Sequence, residues 1–165
     1  MYTLKKSLGQ HFLIDETISQ RIVAELGKTD CQRLLEVGPG GGALTKYLLQ
    51  LPSITMKFVE LDREKVEWLQ KTYPAIQGKI IEGSILDIPM PFDDQFTVVG
   101  NFPYNISSQI LFRMIEWKAH VPVMIGMFQK EVGERTAAKE GSKVYGVVSV
   151  LVQAFYKVEY LFEVH

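Results

Sequence analysis

Apolar and polar residues along the chain change repeatedly between a helical period and the pattern of a buried strand. Apolar side chains within 16–27 recur at helical spacing, with Asp15 placed to cap the start and Gly27 placed to end the helix. An apolar run over 33–37 then ends abruptly in glycines, which is typical of a parallel strand buried on both faces. We therefore predict a helix followed directly by a buried strand.

The same change of period continues through most of the chain. It predicts further strands over 55–61, 79–82, 96–100 and 121–128, and further helices over 43–51, 63–73, 107–117 and 130–139. Residues 147–155 fit either a helix or a strand, whereas 156–164 alternate as a strand does. Strands and helices in this order predict an α/β fold in which helices cover both faces of a mostly parallel sheet. Ligands of such sheets bind beyond the carboxyl ends of the strands, so the loops there form the candidate site.

Composition fits one compact unit. The chain has 165 residues, of which 47% are apolar, and no linker-like stretch divides it, so we predict a single domain over 1–165. No apolar run reaches the roughly 20 residues that span a bilayer, and no signal peptide is recognisable. These features predict a cytoplasmic protein without a membrane partner. One cysteine, Cys31, and three scattered histidines predict neither a disulfide nor a metal site.

The charge balance, taken alone, argues against a nucleic-acid partner. Lysine and arginine number 18 against 19 aspartate and glutamate residues, so the formal net charge is −1. A surface that binds phosphates strongly usually makes a domain basic. A nucleic-acid substrate therefore has to be argued from specific motifs.

A glycine-rich loop follows the first predicted strand and reads Glu-Val-Gly-Pro-Gly-Gly-Gly-Ala over 36–43. Glycines let a ligand approach the backbone closely, and free N–H groups at a helix start favour a polar or anionic group. Glu60 ends the second predicted strand 22 residues after Gly38, where its carboxylate can accept hydrogen bonds from ribose hydroxyls. Loop and acid together indicate a cofactor that contains adenosine. Gly38, Gly40 and Ala43 also fit the dinucleotide fingerprint, so NAD and S-adenosylmethionine both stay open.

The loop after the predicted strand 96–100 lies on the same edge and reads Asn101-Phe102-Pro103-Tyr104. An adenine amine is a poor nucleophile because its lone pair is delocalised into the ring. The side-chain oxygen of Asn101 and a backbone carbonyl at Phe102 or Pro103 could accept both N–H groups and localise that lone pair. Pro103 stiffens the turn, and Tyr104 offers a flat face on which an extruded base can stack. The loop therefore indicates methylation of an adenine amine, in which donor and acceptor mainly need alignment.

Six blocks of sequence carry a resemblance to a known family. In order along the chain they are KKSLGQHFL, EVGPGGGALT, VELD, GNFPYNISSQIL, FQKEVGER and YGVVSVLVQAFY. Together they resemble the ribosomal RNA adenine dimethyltransferases of the KsgA type, over essentially the whole chain from about Lys5. The resemblance implies the Rossmann-like fold of class I S-adenosylmethionine-dependent methyltransferases, with a mostly parallel seven-stranded sheet. It also implies that 1–165 is the catalytic domain alone, without the family's C-terminal helical domain.

The resemblance further implies an activity and its partners. Such enzymes transfer methyl groups from S-adenosylmethionine, which becomes S-adenosylhomocysteine, to two adjacent adenosines near the 3′ end of 16S small-subunit rRNA, with a role in ribosome biogenesis. The expected partner is small-subunit rRNA in the 30S pre-ribosomal particle, and a monomer is expected. The implied catalytic residues are Asn101, Pro103 and Tyr104. The implied cofactor-binding residues are His11, Leu13, Gly38, Gly40, Glu60, Leu61, Ser84, Ile85 and Asn101.

Two of these positions depart from the family's usual residues, which are Asn where this chain has His11 and Asp where it has Ser84. An imidazole and a hydroxyl still form hydrogen bonds, so activity is still expected. A hydroxyl is a weaker acceptor for an adenine amine than a carboxylate is. Asp87, three residues on, could take its place or could cap a turn before Pro89. The positive charges expected to face RNA are those of Lys5, Lys6, Lys130, Arg135, Lys139 and Lys143.

Three other functions stay open at this level. A large-subunit rRNA methyltransferase of the macrolide-resistance type shares both loops, although the first and last blocks favour the small-subunit enzyme. An NAD-dependent oxidoreductase explains the glycine loop and Glu60 but gives the Asn-Phe-Pro-Tyr loop no task. A non-catalytic ribosome-assembly factor is the third, because His11 and Ser84 depart from the family pattern.

Overall fold

The structure, a computed structural model, describes residues 15–165 of the chain. Its strands are β1 (Arg33–Val37), β2 (Thr55–Glu60), β3 (Ile80–Glu82), β4 (Thr97–Asn101) and β5 (Val123–Met127). Its helices are α1 (Glu16–Leu26), α2 (Thr45–Leu48), α3 (Arg63–Thr72), α4 (Ser107–Glu116), α5 (Lys130–Thr136) and α6 (Val147–Gln153), with short 3-10 turns over Pro74–Ile76 and Tyr104–Ile106. The strands form one sheet in the order β3-β2-β1-β4-β5, and every neighbouring pair is parallel.

The strands are buried on both faces because their alternate side chains enter two separate cores. Leu35 of β1 packs with Ile110 of α4 in a cluster that we call the α4-side core. Leu34, the preceding residue, packs on the opposite face with Ile22 and Leu26 of α1, in what we call the α1-side core. The predicted α/β architecture with helices on both faces is therefore confirmed.

Helix α1 begins and ends where the capping residues predict. The Asp15 side chain accepts a hydrogen bond from the Thr17 N–H at 2.9 Å, and Gly27 closes the last turn through its N–H. Helix α2, by contrast, is shorter than the predicted 43–51 and covers only Thr45–Leu48. The preceding residues instead continue the glycine loop as a turn, in which the Gly42 N–H donates to the Pro39 carbonyl at 2.8 Å.

The prediction of seven strands is wrong for the described residues, which form five. Residues 147–155, left open between helix and strand, contain helix α6. Residues 156–164 form no strand; Tyr156 and Phe162 contact the helical layer instead. The Tyr156 hydroxyl donates to the Met114 and Val121 carbonyls, and the Arg21 guanidinium lies 3.6 Å from the centre of the Phe162 ring. Alternation indicates two different faces, but it does not specify a backbone partner.

Candidate active site

The sheet order brings the predicted loops to one edge. Strand β1 is central, with Val37 in register with Val59 of β2 on one side and with Gly100 of β4 on the other. The loops that follow these strands therefore start side by side at the carboxyl ends. An ideal Cβ placed on Gly38 would lie 4.0 Å from the Asn101 carbonyl oxygen, and no other atom would be closer. The glycine loop and the Asn-Phe-Pro-Tyr loop thus face the same space.

The glycine loop has the conformation that its sequence requires. Gly38 and Gly40 adopt φ angles of +66° and +56°, a region in which other residues are strained. The Gly38 N–H donates to the Val59 carbonyl at 2.9 Å, which ties the loop to the end of β2. At Gly42 an added Cβ would lie 2.6 Å from Cε2 of Tyr73, so that ring packs directly on the loop. The loop is a backbone cradle held by these two contacts.

Glu60 closes the other side of this cradle. It is only 2% exposed, and its two carboxylate oxygens accept hydrogen bonds from two loops. The Gly40 N–H donates to Oε2 at 3.0 Å, and the Asp62 N–H donates to Oε1 at 3.1 Å. Each oxygen keeps a further lone pair for a ligand hydroxyl. Glu60 therefore couples the glycine loop to the β2 end, at the position expected for a ribose.

Three other predicted cofactor residues lie close to Glu60 in the chain or across the sheet. Leu61 follows it directly and is 61% exposed. The Gly83 N–H donates to the Glu60 carbonyl at 2.9 Å, which places Ser84 beside the same edge. Ile85 is buried in the α4-side core, so only its backbone faces the loop. Leu61 and Ser84 are the side chains available to a bound ring.

The alternative acceptor Asp87 lies in the turn that Ser84 begins. Its N–H donates to the Ser84 carbonyl at 2.9 Å, and Asp87 is exposed. The Ser84 hydroxyl oxygen already accepts one hydrogen bond, from the Leu86 N–H at 3.2 Å, which leaves it one lone pair as an acceptor for a ligand. Asp87 therefore stays a candidate for the role that the hydroxyl fills poorly.

The Asn-Phe-Pro-Tyr loop extends β4 and then turns sharply into α4. Asn101 is in register with Met127 of β5, and the Phe102 N–H donates to the Met127 carbonyl at 3.1 Å. Pro103 precedes a 3-10 turn that begins at Tyr104. The buried Ser107 hydroxyl at the start of α4 donates to the carbonyls of Pro103 and Tyr104, at 3.1 and 3.2 Å. Backbone pairing at one end and a buried hydroxyl at the other hold the loop in place.

A buried carboxyl beneath the glycine loop was not singled out from the sequence. Glu36 is 2% exposed, and Oγ1 of Thr45, at the start of α2, donates to its Oε2 at 2.8 Å. Burial raises the pKa of Glu36 from 4.5 to about 8, against the hydrogen bond from Thr45 and with a smaller contribution from the nearby Glu60 charge. Glu36 is therefore protonated near neutral pH. The sequence feature that indicates this pair is the position of Glu36 and Thr45 on either side of the glycine loop, nine residues apart.

We predict that Glu36→Gln reduces the dependence of stability on pH. The pKa of Glu36 is 4.5 in an ordinary environment and about 8 in the folded protein. Between these values the folded state holds a proton that the unfolded state lacks, so the free energy of unfolding falls as pH rises from about 4.5 to about 8. A carboxamide does not titrate, so the variant should lose less stability than the wild type over this window. Urea unfolding at pH 5, 6, 7 and 8 measures the slopes, and equal slopes for both proteins would refute the assignment.

Part of the predicted site lies outside the described residues. His11 and Leu13, together with Lys5 and Lys6, belong to 1–14. Of the other predicted RNA-facing charges, Lys130 pairs with Glu163 at 2.7 Å, and this contact raises the pKa of Lys130. Lys130, Arg135, Lys139 and Lys143 are all exposed, so the pairing with Glu163, rather than burial, distinguishes Lys130. Lys130 is thus the least available of them for phosphate.

Residues 15–165 contain neither a candidate metal site nor a membrane-spanning helix. No cluster of three or more histidine, cysteine, aspartate or glutamate side chains there could hold a metal ion. No helix in the same range combines the length and apolar character needed to cross a bilayer.

The profile of the ribosomal RNA adenine dimethylase family matches residues 1–165. A ribosomal RNA small subunit methyltransferase A from Cytophaga hutchinsonii is 49% identical over 163 residues, which are 97% of this chain and 63% of the relative. The protein of the same name from Flavobacterium johnsoniae is 51% identical over 163 residues, 97% of this chain and 62% of the relative. The chain therefore spans less than two thirds of the length of these relatives.

Solved structures show the same architecture. A dimethyladenosine transferase from Plasmodium falciparum matches with a TM-score of 0.72 and 28% identity, over 87% of this chain and 52% of that chain. The 23S rRNA methyltransferase ErmE matches with a TM-score of 0.64 and 22% identity, over 79% of this chain and 53% of that one. The fold is the Rossmann-like fold of class I S-adenosylmethionine-dependent methyltransferases, as the sequence resemblance implies.

Proposed function

Since the chain belongs to the ribosomal RNA adenine dimethylase family, we propose that it carries the catalytic site of an S-adenosylmethionine-dependent rRNA adenine N6,N6-dimethyltransferase. One observation supports this proposal most strongly: the glycine loop and the Asn-Phe-Pro-Tyr loop leave neighbouring strands at the same sheet edge, so close that a Cβ added to Gly38 would lie 4.0 Å from the Asn101 carbonyl oxygen. Methyl transfer needs a donor site and an acceptor site in such proximity. An NAD-dependent oxidoreductase is set aside because the family match covers the whole chain.

The residues at the edge fit S-adenosylmethionine. The backbone at Gly38 and Gly40 makes a cradle without side chains, and Glu60 presents a buried carboxylate across it. In the proposed site Glu60 accepts the ribose hydroxyls, and the exposed Leu61 covers one face of the cofactor's adenine. Ser84 and the Ile85 backbone meet the edge of that ring, and Asp87 is the second candidate acceptor for its amine. We expect His11 and Leu13 to complete this pocket. The cofactor supplies an activated methyl group on a sulfonium.

The Asn101 loop prepares the acceptor nitrogen. The Asn101 side-chain oxygen accepts one N–H of the target adenine amine, and a backbone carbonyl accepts the other. The Pro103 carbonyl already accepts hydrogen bonds from the Ile106 N–H and the Ser107 hydroxyl, which favours the Phe102 carbonyl for this task. Two acceptors draw the nitrogen toward tetrahedral geometry and localise its lone pair on the side of the methyl donor. The surplus proton leaves after transfer, so no strong base is required.

Pro103 and Tyr104 place the base itself. Pro103 has φ −59° and ψ 135°, so the chain turns away from β4 immediately after the acceptor residues. Tyr104 is half-buried, and we propose that its ring stacks on the extruded adenine, an interaction worth roughly 1–3 kcal/mol. Stacking and the Asn101 contact together fix the plane and the rotation of the base.

We propose small-subunit rRNA as the substrate, at two adjacent adenosines near the 3′ end of 16S rRNA in the 30S pre-ribosomal particle. The support is that relatives about half identical to this chain carry the name ribosomal RNA small subunit methyltransferase A. A cytoplasmic monomer that acts in ribosome biogenesis fits this substrate. The domain assignment, 1–165 as the catalytic domain, belongs to the same proposal. The fold alone does not select the subunit, because ErmE shares it at 22% identity.

Methyl incorporation into isolated ribosomal subunits tests the proposal. Purified protein is incubated with methyl-labelled S-adenosylmethionine and with 30S or 50S subunits from cells that lack the modification. We expect label in the rRNA of the 30S subunit and none in that of the 50S subunit. Label confined to 50S material would assign the chain to the large-subunit enzymes instead.

A further inference from the structure

Two glycines face each other where β4 and β5 approach their carboxyl ends. Gly100 and Gly126 are register partners, one residue before Asn101 and Met127. Neither belongs to the glycines with positive φ, so an ordinary residue fits the backbone at both positions. A requirement for space, rather than for backbone conformation, accounts for glycine there.

The space is filled by the ring of Phe102. A Cβ on Gly126 would lie 2.6 Å from Cδ2 of Phe102, and closer still to its Cε2. A Cβ on Gly100 would lie 3.2 Å from Cε1, on the other side of the same ring. Phe102 therefore lies across both glycines, in what we call the glycine notch, defined by Gly100 and Gly126. The Phe102 side chain is 1% exposed and belongs to the α4-side core.

A second aromatic ring closes the notch. Phe128 stacks on Phe102 with ring centres 4.9 Å apart and planes 29° apart. Its Cε2 would lie 2.9 Å from a Cβ on Gly126, so both rings occupy room that only glycine leaves. Close-packed interiors transmit such contacts instead of absorbing them. The ring of Phe102 has one position available, between two strands and a second ring.

We propose that packing of the Phe102 ring in the glycine notch fixes the position of the Asn101 loop. Phe102 is then a positioning residue for methyl transfer. Phe102 is flanked in the chain by the acceptor Asn101 and by Pro103, and its own carbonyl is the candidate second acceptor. A clash that the packed ring cannot relieve by rotation is therefore expected to displace the backbone that carries both acceptors. This inference rests on the proposed function of that loop. Displacements near 1 Å can lower a reaction rate roughly 100-fold. The position of the Phe102 ring in the notch therefore controls kcat.

The test first introduces a steric clash in the notch and then relieves that clash with a second substitution. Gly126→Ala adds the clashing methyl group, and Gly126→Ala/Phe102→Leu shortens the side chain that it meets. Gly126 is the better site because a Cβ on Gly100 would also lie 2.6 Å from the Val37 carbonyl oxygen. Gly146→Ala is the matched control, since its φ is −150° and an added Cβ meets nothing within 4 Å. For each variant kcat, KM for 30S subunits and Kd for S-adenosylmethionine are measured.

We expect Gly126→Ala to lower kcat by roughly 10- to 100-fold, with Kd for the cofactor unchanged. The double variant should recover at least part of that loss, and Gly146→Ala should behave as the wild type does. A folded Gly126→Ala protein with wild-type kcat would overturn the inference, as would a loss that Phe102→Leu does not relieve. If Gly126→Ala does not fold, the Phe102→Leu variant tests the inference alone. It leaves the notch partly empty, so kcat should fall while Kd for the cofactor stays unchanged. An unchanged kcat would refute the positioning role of Phe102.

Backbone amide NMR shifts of 101, 102 and 104 read the loop position without any methylation. Gly126→Ala should move these resonances, and the double variant should return them toward their wild-type positions. Chemical shifts that stay at wild-type values in Gly126→Ala would refute the claim that the packing of Phe102 fixes the loop. Absence of methylation by the wild-type protein would instead count against the proposed function, so the two failures are distinguishable.

Discussion

Replacing Asn101 by alanine is expected to lower kcat for methyl transfer by about 100- to 1,000-fold, the usual cost of losing one preorganised polar contact at a reacting centre. In the proposed site this change removes the side-chain oxygen that localises the amine lone pair, while the glycine loop and Glu60, which are proposed to hold most of the cofactor, are untouched. The Kd for S-adenosylmethionine should therefore stay within about threefold of the wild-type value. Single-turnover methylation of 30S subunits and calorimetric titration of the cofactor measure the two quantities.

The matched control for Asn101→Ala is Gln109→Ala. Gln109 also carries a carboxamide, but it is exposed in the first turn of α4 and is not among the residues proposed to contact the base or the cofactor. Its loss should change neither kcat nor cofactor affinity. A wild-type rate for Asn101→Ala would remove the residue from catalysis. Normal ribosome maturation in cells that carry this variant would make a non-catalytic assembly role the better description.

Replacing Glu60 by alanine is expected to have the opposite effect: it should weaken the binding of S-adenosylmethionine more than it lowers kcat. Hydrogen bonds to a charged acceptor contribute roughly 1.5–3 kcal/mol each, so the loss of two ribose contacts should raise Kd for S-adenosylmethionine by about 100-fold or more. The variant also removes the acceptor of the Gly40 and Asp62 N–H groups, which loosens the cradle. At saturating cofactor much of kcat should return, because the Asn101 loop is intact.

Glu82→Gln controls for the loss of one negative charge at the same sheet edge. Glu82 is in register with Glu60 on β3 but is exposed. Its neutralisation should leave Kd for the cofactor within about threefold, and Glu60→Gln, which keeps one acceptor oxygen, should fall between wild type and Glu60→Ala. An equal loss of affinity in Glu60→Gln and Glu82→Gln would show that the general field, rather than the Glu60 contacts, attracts the cofactor.

The sequence predicted the elements whose patterns are local. Asp15 and Gly27 bound α1 as capping chemistry requires, and the apolar run 33–37 is β1. The glycine loop and the Asn-Phe-Pro-Tyr loop were placed on one edge because parallel strands share their carboxyl ends. The β1–β4 register confirms that placement.

Other features depend on contacts between distant residues, which a single sequence does not specify. The alternation over 156–164 resembles a strand, yet these residues contact helices through Tyr156 and Phe162. In the sequence Glu36 is one more residue of a predicted strand. Its burial and its hydrogen bond from Thr45 are visible only in the structure. The reason for glycine at Gly126 appears only when Phe102, 24 positions earlier in the chain, lies against it.

The most direct measurement of the central claim is the chemical identity of the methylated product. Unmethylated 30S subunits are treated with the protein and labelled S-adenosylmethionine, the rRNA is digested to nucleosides, and these are separated and identified by mass spectrometry. A catalytic edge built from the glycine loop, Glu60 and Asn101 predicts label in N6,N6-dimethyladenosine from two adjacent positions near the 3′ end, and its loss in Asn101→Ala. Label on another base or another atom of adenine, or equal dimethylation by Asn101→Ala, would contradict it.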